Sequence, residues 1–374
     1  MKEIRMVDLQ SQYLKIKTEI DSSIIDVIEK SEFINGTQVK IFQKQLEDYL
    51  GIKHVIPCGN GTDALQIALM ALGLKPGDEV ITSDFTFIAT LEVIALLGLK
   101  PILVDVDPHT FNISVEGIKM AVTPKTKAII PVHLFGQCAN MDGILSIAQS
   151  NNIAVVEDAA QAFGATYQMA GNRNVHAGAM GDIGCTSFFP SKNLGCFGDG
   201  GAVFTNNDTL AELIRSISNH GMKVRYYHDH VGINSRLDTI QAAVLSSKLK
   251  YLDEYNLARR KAAEFYDRAF SGCDKIQVPT RNSKSTHIFH QYTMIIKSGD
   301  RDGLRKHLQS KGIPAMVYYP IPLHEQNAYK NLGYQTGDFP VTEQLCKSVI
   351  SLPMHTELDI DQLEFITKSV IEFI

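Results

Sequence analysis

One lysine, Lys192, lies in a sequence context that suits nucleophilic chemistry. It comes soon after an apolar run that predicts a strand over 185–189, and the glycine-rich stretch 198–201 that follows cannot form a helix. A lysine held at such a strand end, with its pKa lowered by desolvation or by a nearby cation, can attack an aldehyde. The alternative is a solvated surface charge, which is the usual state of a lone lysine.

Two polar residues, Asp158 and Gln161, follow another apolar run. Asp158 ends the run that starts at Ile153, and Gln161 comes three residues later. An ionised carboxylate at the end of a buried strand is costly unless a cation or several donors meet it. A protonated pyridine nitrogen would be such a cation. The alternative is that Asp158 caps the next helix.

A third candidate region is the glycine-containing turn from Cys58 to Asp63. Glycines at the start of a helix expose backbone N–H groups, which can hold a phosphate. A plain turn in which Thr62 or Asp63 caps the helix explains the same residues. A dinucleotide site fits less well, because Leu65 and its neighbours replace the third glycine of that motif. Phe87, after the second predicted strand, can stack on a heteroaromatic ring or pack in the core.

The strands that position these residues are predicted to form one α/β sheet. Short β-branched runs alternate with amphipathic stretches up to about residue 205, which is typical of a mostly parallel sheet covered on both faces. Ligands of such sheets bind beyond the carboxyl ends of the strands. The seven predicted strands are Val55–Cys58, Glu79–Ser83, Pro101–Val106, Ala128–Leu134, Ala154–Asp158, Cys185–Phe189 and Ala202–Thr205.

The C-terminal part of the chain has a different pattern. A long helix is predicted from Leu237 to Arg268, followed by strands near His290–Ile296 and Ala315–Tyr318 and by a C-terminal helix from Asp359. We therefore predict a large domain over residues 1–248 and a smaller α/β domain over residues 249–374.

Composition excludes several classes of protein. The 374 residues carry a net charge of −5 with scattered basic residues, and 44% are hydrophobic, so neither a nucleic-acid partner nor a membrane span is expected. The six cysteines form no Cys-x-x-Cys pair and have no metal-like histidine spacing, so we expect no metal site and reduced thiols, as in the cytoplasm.

Four ordered segments resemble the nucleotide-sugar aminotransferases of the DegT/DnrJ/EryC1/StrS family, and the resemblance extends from Val7 to His355. The segments are Gly59–Gln66, Val155–Ala165, Ser187–Gly195 and Asn234–Ala243. The resemblance implies the aspartate-aminotransferase-like fold, known as PLP fold type I, and a homodimer with shared active sites. The cofactor implied is pyridoxal 5'-phosphate (PLP), with pyridoxamine phosphate as an intermediate.

The resemblance also implies a role for each candidate residue. Lys192 would hold PLP as a Schiff base and move protons. Asn234 would reach the cofactor phosphate of the neighbouring subunit, where Arg236 would face the sugar pocket. The remaining implied contacts are Asp158 with the pyridine nitrogen, Gln161 near the ring hydroxyl, Phe87 on the ring face, Gly61, Thr62 and Ser187 at the phosphate, and Tyr318 and Tyr319 at the sugar.

The activity implied is transfer of an amino group from glutamate to a keto-sugar nucleotide. Related dehydratases have histidine in place of the lysine, so Lys192 favours transamination. The sequence most resembles enzymes that aminate the C3 ketone of UDP-2-acetamido-2-deoxy-3-oxo-glucuronate for bacterial surface polysaccharide such as lipopolysaccharide O-antigen. Arg236 could bind the uronate carboxylate bidentately, or it could form a structural ion pair.

Other functions remain open from the sequence. Tyr318 replaces a histidine that is usual in the uronate enzymes, so a TDP-3-keto-6-deoxyhexose 3-aminotransferase is the alternative within the family. An NAD(P)-dependent oxidoreductase would explain the parallel sheet but not the surroundings of Lys192. A non-catalytic sensor or scaffold on the same fold would most easily have lost Lys192 or Asp158, and both are present.

Overall fold

The computed structural model describes residues 2–374 and contains one large sheet and three small ones. The strands are β1 (His54–Cys58), β2 (Glu79–Ser83), β3 (Lys100–Val104), β4 (Thr126–Ile130), β5 (Ala154–Asp158), β6 (Thr166–Gln168), β7 (Asn174–His176), β8 (Ile183–Ser187), β9 (Gly201–Thr205), β10 (Met222–Val224), β11 (Tyr227–His228), β12 (Ile276–Gln277), β13 (Tyr292–Ile296) and β14 (Val349–Leu352).

Helices occupy most of the remaining chain. The α-helices are α1 (Leu9–Lys15), α2 (Lys17–Lys30), α3 (Thr37–Leu50), α4 (Gly61–Ala71), α5 (Ala89–Leu96), α6 (Val115–Ala121), α7 (Met141–Asn151), α8 (Asp208–Ile217), α9 (Thr239–Leu249), α10 (Leu252–Phe270), α11 (Arg301–Ser310), α12 (Pro340–Ser348) and α13 (Ile360–Phe373). Short 3-10 helices lie at Leu134–Gly136, Ala170–Asn172, Leu323–Glu325 and Asn327–Leu332.

The predicted seven-stranded, mostly parallel sheet is confirmed. Its order is β1-β9-β8-β5-β4-β2-β3. Only β9 runs antiparallel to its neighbours, β1 and β8, and the other pairs are parallel. The carboxyl ends of β2, β4, β5 and β8 therefore meet at one edge of the sheet, where the candidate residues were expected.

Helices cover both faces of this sheet because successive side chains of a strand point in opposite directions. In β4, Ala128 and Ile130 pack in the cluster that contains α4 and α8, whereas Ile129 packs in the cluster that contains α6 and α7. Such strands are apolar at nearly every position, which is the pattern that predicted a sheet covered on both sides.

The C-terminal part forms a separate core around the antiparallel sheet β12-β13-β14, with α10, α11 and α13 packed on it. Ile4 also lies in this core, so the chain's beginning contacts its end. The division predicted at residue 248 falls close to the junction of α9 and α10 and stays a prediction.

Two predictions for this part were wrong. The long helix predicted from Leu237 is two helices, because Tyr251, with φ −105° and ψ 0°, departs from helical geometry between α9 and α10. The segment Ala315–Tyr318 is not a strand, since only Met316 forms a bridge, with Ser351 of β14. The predicted C-terminal helix is present, and Asp359 caps it in a capping box with Gln362.

Within residues 2–374, no helix is both long and apolar enough to cross a membrane.

Candidate active site

A cavity of about 970 Å³ lies at the carboxyl ends of the parallel strands, and most of the predicted site residues line it. One wall comes from the residues that follow β1, β2, β5 and β8, and the facing wall comes from the loop 317–326, here called the site loop. The predicted residues in the lining are Gly61, Thr62, Phe87, Asp158, Gln161, Ser187, Lys192, Tyr318 and Tyr319.

The backbone around Lys192 is held by contacts on both sides. The amide of Lys192 donates to the carbonyl of Phe189 at 2.8 Å, and the side chain of Asn193 donates to Asn256 at 2.7 Å. The carbonyl of Gly195 accepts from Nζ of the buried Lys248 at 2.7 Å. These contacts leave the Lys192 side chain free to enter the cavity while its main chain stays in place.

The amine of Lys192 is poised to lose its proton. Burial lowers its pKa to about 8, and the negative charge of Asp158 opposes this shift. The neutral form, which attacks carbonyl carbons, is therefore far more abundant at neutral pH than for a lysine in water.

Asp158 is held at the cavity wall by two donors. The hydroxyl of Thr90 donates to one carboxylate oxygen at 2.7 Å, and the amide of Ala160 donates to the other at 3.1 Å. A carboxylate has about four acceptor positions, so lone pairs remain for a further donor in the cavity. The alternative that Asp158 caps a helix does not hold, since no α-helix begins after it before α8.

Gln161 has a fixed orientation. Its oxygen accepts from the amide of Phe135 at 3.0 Å, and its nitrogen donates to the hydroxyl of Tyr319 at 3.0 Å. The Gln161 amide thus joins the floor of the cavity to the site loop. Burial raises the pKa of the Tyr319 phenol, which therefore stays protonated at neutral pH.

The start of α4 is shaped to receive an anion. The side chain of Asn60 accepts from the amide of Asp63 at 2.8 Å, and the amides of Gly61 and Thr62 in the first turn have no acceptor within the helix. A Cβ at Gly61 would lie 2.7 Å from Cβ of Ser187, so only glycine allows this approach. The amides of Gly61 and Thr62 and the hydroxyls of Thr62 and Ser187 form a set of donors suited to phosphate.

Phe87 is not a core residue. Its side chain is 54% exposed, whereas Phe85 is 1% exposed and packs with Phe111 and Phe135. Core packing of Phe87 is therefore excluded. Its flat ring face is available to a ligand in the cavity.

The cavity residues fit PLP. They include a lysine with a lowered pKa, a carboxylate with free lone pairs, an exposed aromatic ring and a helix start with phosphate donors. Two further polar atoms of the lining, Oγ1 of Thr86 and Nδ1 of His290, are buried and have no hydrogen-bond partner among residues 2–374. A polar ligand in the cavity would satisfy such atoms.

Sequence and structure comparisons agree with this geometry. The DegT/DnrJ/EryC1/StrS aminotransferase family matches residues 14–371. The chain belongs to this family. It is a PLP-dependent aminotransferase with the aspartate-aminotransferase-like fold.

The relatives include an enzyme named for its substrate. The aminotransferase is 46% identical over 367 residues to the UDP-2-acetamido-2-deoxy-3-oxo-D-glucuronate aminotransferase of Pseudomonas aeruginosa, covering 98% of this chain and 99% of the relative. It is also 46% identical over 372 residues to a pleiotropic regulatory protein of Geobacillus stearothermophilus, covering 99% and 98% of the two chains.

Solved structures share the whole fold. DesV of S. venezuelae superposes with a TM-score of 0.95 at 35% identity, covering 100% of this chain and 98% of that one. NtdA of Bacillus subtilis, solved with bound PMP, superposes with a TM-score of 0.89 at 30% identity, covering 100% and 85%.

Asn234 and Arg236 of the aminotransferase lie outside the cavity lining. Asn234 forms a bridge with Asn219, whose side chain accepts from Arg236 at 3.4 Å. The intervening Ser235 turns the other way and contacts Gly59 and Asp63 at the start of α4. The role of Asn234 and Arg236 in the site of a neighbouring subunit stays a prediction.

Sequence reasoning missed several cavity residues. It also missed Thr90, which does not line the cavity but donates to Asp158 from the start of α5. Thr90 lies three residues after Phe87, and this helical spacing was a usable signal. His290 and Gln291 come from the C-terminal part of the chain, and no local pattern connects them to Lys192. Only the packing of the two parts brings them together.

Proposed function

We propose that this aminotransferase moves the amino group of glutamate to the C3 ketone of UDP-2-acetamido-2-deoxy-3-oxo-glucuronate. The observation that carries the proposal is the near full-length similarity to the Pseudomonas aeruginosa enzyme of that name. The amino sugar would enter bacterial surface polysaccharide such as lipopolysaccharide O-antigen. The six cysteines are unpaired and five of them are buried, which fits our proposal that the enzyme acts in the reducing cytoplasm.

Lys192 is the residue that moves protons in this proposal. Bound PLP supplies an electron sink for the charge left when a proton leaves the substrate carbon. With a pKa lowered to about 8, the Lys192 amine can accept that proton, and the ammonium can return it to the neighbouring carbon. Both states are accessible near neutral pH, which suits a group that acts as base and as acid in one cycle.

Asp158 and Gln161 orient the reaction rather than move protons. Asp158 would pair with the protonated pyridine nitrogen, and its bonds from Thr90 and Ala160 hold the carboxylate at the wall. Gln161 would lie near the ring hydroxyl. Phe87 would cover the ring face, and the donors at Gly61, Thr62 and Ser187 would bind the phosphate.

We propose a homodimer in which Asn234 and Arg236 complete the partner's site. Large apolar side chains are exposed on α2, on the segment that follows it, on the β10–β11 hairpin and just after this hairpin, as expected for a surface that another chain covers. They are Ile25, Ile28, Phe33, Ile34, Val224, Tyr226, Tyr227 and Val231. The hairpin leads directly to Asn234, so a partner bound there would lie next to Arg236.

A TDP-3-keto-6-deoxy sugar is the alternative substrate, and Tyr318 is the observation that favours it. Burial raises the pKa of the Tyr318 phenol, so this residue offers a neutral hydroxyl where a histidine could carry a positive charge. A uronate carboxylate would then depend on Arg236 alone for a charged partner, whereas a 6-deoxy sugar needs none.

A half-reaction scan tests the proposal. The enzyme is first converted to the amine form with glutamate, and each keto-sugar nucleotide is then added while the absorbance band of the lysine-bound cofactor is followed. We expect the band to return with the UDP-3-oxo-uronate and to return much more slowly with a TDP-3-keto-6-deoxy sugar. Return of the band with the TDP sugar alone would replace the proposal by its alternative, and failure of glutamate to convert the enzyme would exclude glutamate as the donor.

A further inference from the structure

One buried carboxylate holds the site loop against the large sheet. Asp84 is the first residue after β2, and its side chain is fully buried. One of its oxygens accepts from the backbone amide of His324 at 2.8 Å, and the other lies 2.7 Å from Nδ1 of the same residue. The carbonyl of Asp84 also accepts from the amide of Leu323 at 3.2 Å. Three contacts thus join the end of β2 to two consecutive residues of the loop.

The charge of Asp84 sets the direction of its hydrogen bond with the His324 ring. Burial raises the pKa of Asp84 to about 6, although His324 opposes the shift, so the carboxylate is ionised at neutral pH. An ionised carboxylate only accepts hydrogen bonds, and Nδ1 of His324 therefore carries a proton. Nε2 has no hydrogen-bond partner among residues 2–374 and lies 3.7 Å from Glu343.

A second strand-end carboxylate provides a comparison. Asp105 is the first residue after β3 and accepts from the amides of Val341 and Thr342, both at 2.9 Å, at the start of α12. Asp105 therefore fastens α12 to the large sheet. Neither Asp105 nor α12 lines the cavity, so of these two carboxylates it is Asp84 that holds a segment facing the cavity.

The other end of the site loop is held by aromatic contacts. The ring of Tyr319 lies 6.0 Å from that of Phe85 and 6.3 Å from that of Phe87. The same short segment after β2 therefore contacts the loop at Tyr319 and at His324. Ile321, midway between them, is 45% exposed and lines the cavity.

We propose that Asp84 and His324 form a clasp that positions the site loop for the keto-sugar nucleotide. Both are positioning residues, since neither lines the cavity. They act through Tyr318 and Tyr319, whose assignment to the sugar belongs to the proposed function, on which this inference rests. Loss of the clasp should weaken binding of the sugar nucleotide and leave cofactor binding and the glutamate half-reaction intact.

Four variants test the clasp by activity. Asp84→Ala removes both side-chain acceptors of the clasp and His324→Phe removes the donor Nδ1, and we expect KM for the sugar nucleotide to rise roughly tenfold or more, as for a lost bond to a charged group. His324→Asn places an amide N–H where Nδ1 lies and should restore KM to within about threefold of the wild type. Asp105→Ala, the matched control, should lower Tm without a comparable change in KM. PLP affinity and the glutamate half-reaction should stay unchanged in all four.

A second measurement needs no sugar substrate. The chain contains no tryptophan, so Ile321→Trp places the sole tryptophan of the protein on the site loop. In the PLP-bound enzyme we expect Asp84→Ala and His324→Phe to lower the fluorescence anisotropy of this tryptophan and to increase its quenching by acrylamide. His324→Asn and Asp105→Ala should leave both signals unchanged.

The outcomes separate the clasp from the proposed function. If Asp84→Ala and Asp105→Ala affect KM and fluorescence equally, Asp84 is only a general contact between the two parts of the chain. If Asp84→Ala changes neither KM nor fluorescence, the clasp does not position the loop. A wild-type enzyme that rejects the UDP sugar would overturn the proposed substrate, while the fluorescence result would still decide whether the clasp holds the loop.

Discussion

At the scale of single residues, we predict that the proton on Lys192 controls uptake of PLP. Its pKa is lowered from 10.5 to about 8, and only the neutral amine attacks the PLP aldehyde. The rate at which apo-enzyme takes up PLP should therefore rise about tenfold per pH unit below pH 8 and level off above it. Stopped-flow absorbance measures this rate, and the reaction of PLP with a lysine peptide corrects for titration of the cofactor.

A variant of Asp158 sharpens this first prediction. The negative charge of Asp158 raises the pKa of Lys192, so Asp158→Asn should move the plateau to lower pH. If the corrected rate of the wild type still rises at pH 10, Lys192 titrates like a lysine in water. This result would contradict the lowered pKa of Lys192.

At the scale of elements, the loop that carries Lys192 depends on one glycine. A Cβ at Gly195 would lie 2.3 Å from the carbonyl oxygen of Pro190, and this backbone atom cannot move without shifting Lys192. Gly195→Ala should therefore lower stability by about 1–3 kcal/mol and weaken PLP binding at the same time. Thermal unfolding and a PLP titration measure the two effects.

Gly198 of the same loop provides the matched control. A Cβ there would lie 3.0 Å from Nε2 of Gln241, the end of a flexible side chain that can move away. Gly198→Ala should retain both Tm and PLP affinity. If both glycine variants bind PLP equally well, the close approach of Gly195 to Pro190 does not determine the position of Lys192.

At the scale of the whole molecule, the proposed shared site predicts complementation between two defective chains. Lys192→Ala removes the group proposed to carry protons in a subunit's own site, and Arg236→Ala removes the group proposed to serve the partner's site. In a mixed dimer, one site then lacks both groups and the other is complete. After refolding an equal mixture, random pairing should restore about a quarter of the wild-type activity.

The activity of the mixture is measured at a concentration of the uronate substrate far below KM, where Arg236→Ala alone should be nearly inactive. Separate refolding of each variant gives the baseline, and light scattering gives the number of chains per particle. Activity of the mixture equal to the mean of the two baselines would place Arg236 in its own subunit's site or in no site.

The local sequence determined much of the fold and of the cofactor site. The bounds of β5 and the capped start of α13 follow from patterns within a few residues, since strand alternation and helix capping are short-range effects. Lys192 and Asp158 could be placed at one edge from sequence, because parallel strands bring their carboxyl ends together. Family resemblance added roles to residues that spacing alone left open.

The tertiary structure decided the contacts that join distant segments. The bond from Thr90 to Asp158 and the clasp of Asp84 with His324 each link residues that no local period connects. The break at Tyr251 and the missing strand at Ala315–Tyr318 also depend on how the C-terminal part packs. Local propensity is worth only a fraction of a kcal/mol per residue, and burial against a distant partner outweighs it. For this reason the sequence located the lysine and its carboxylate, whereas only the packed chain revealed the contacts between the end of β2 and the loop that lines the cavity.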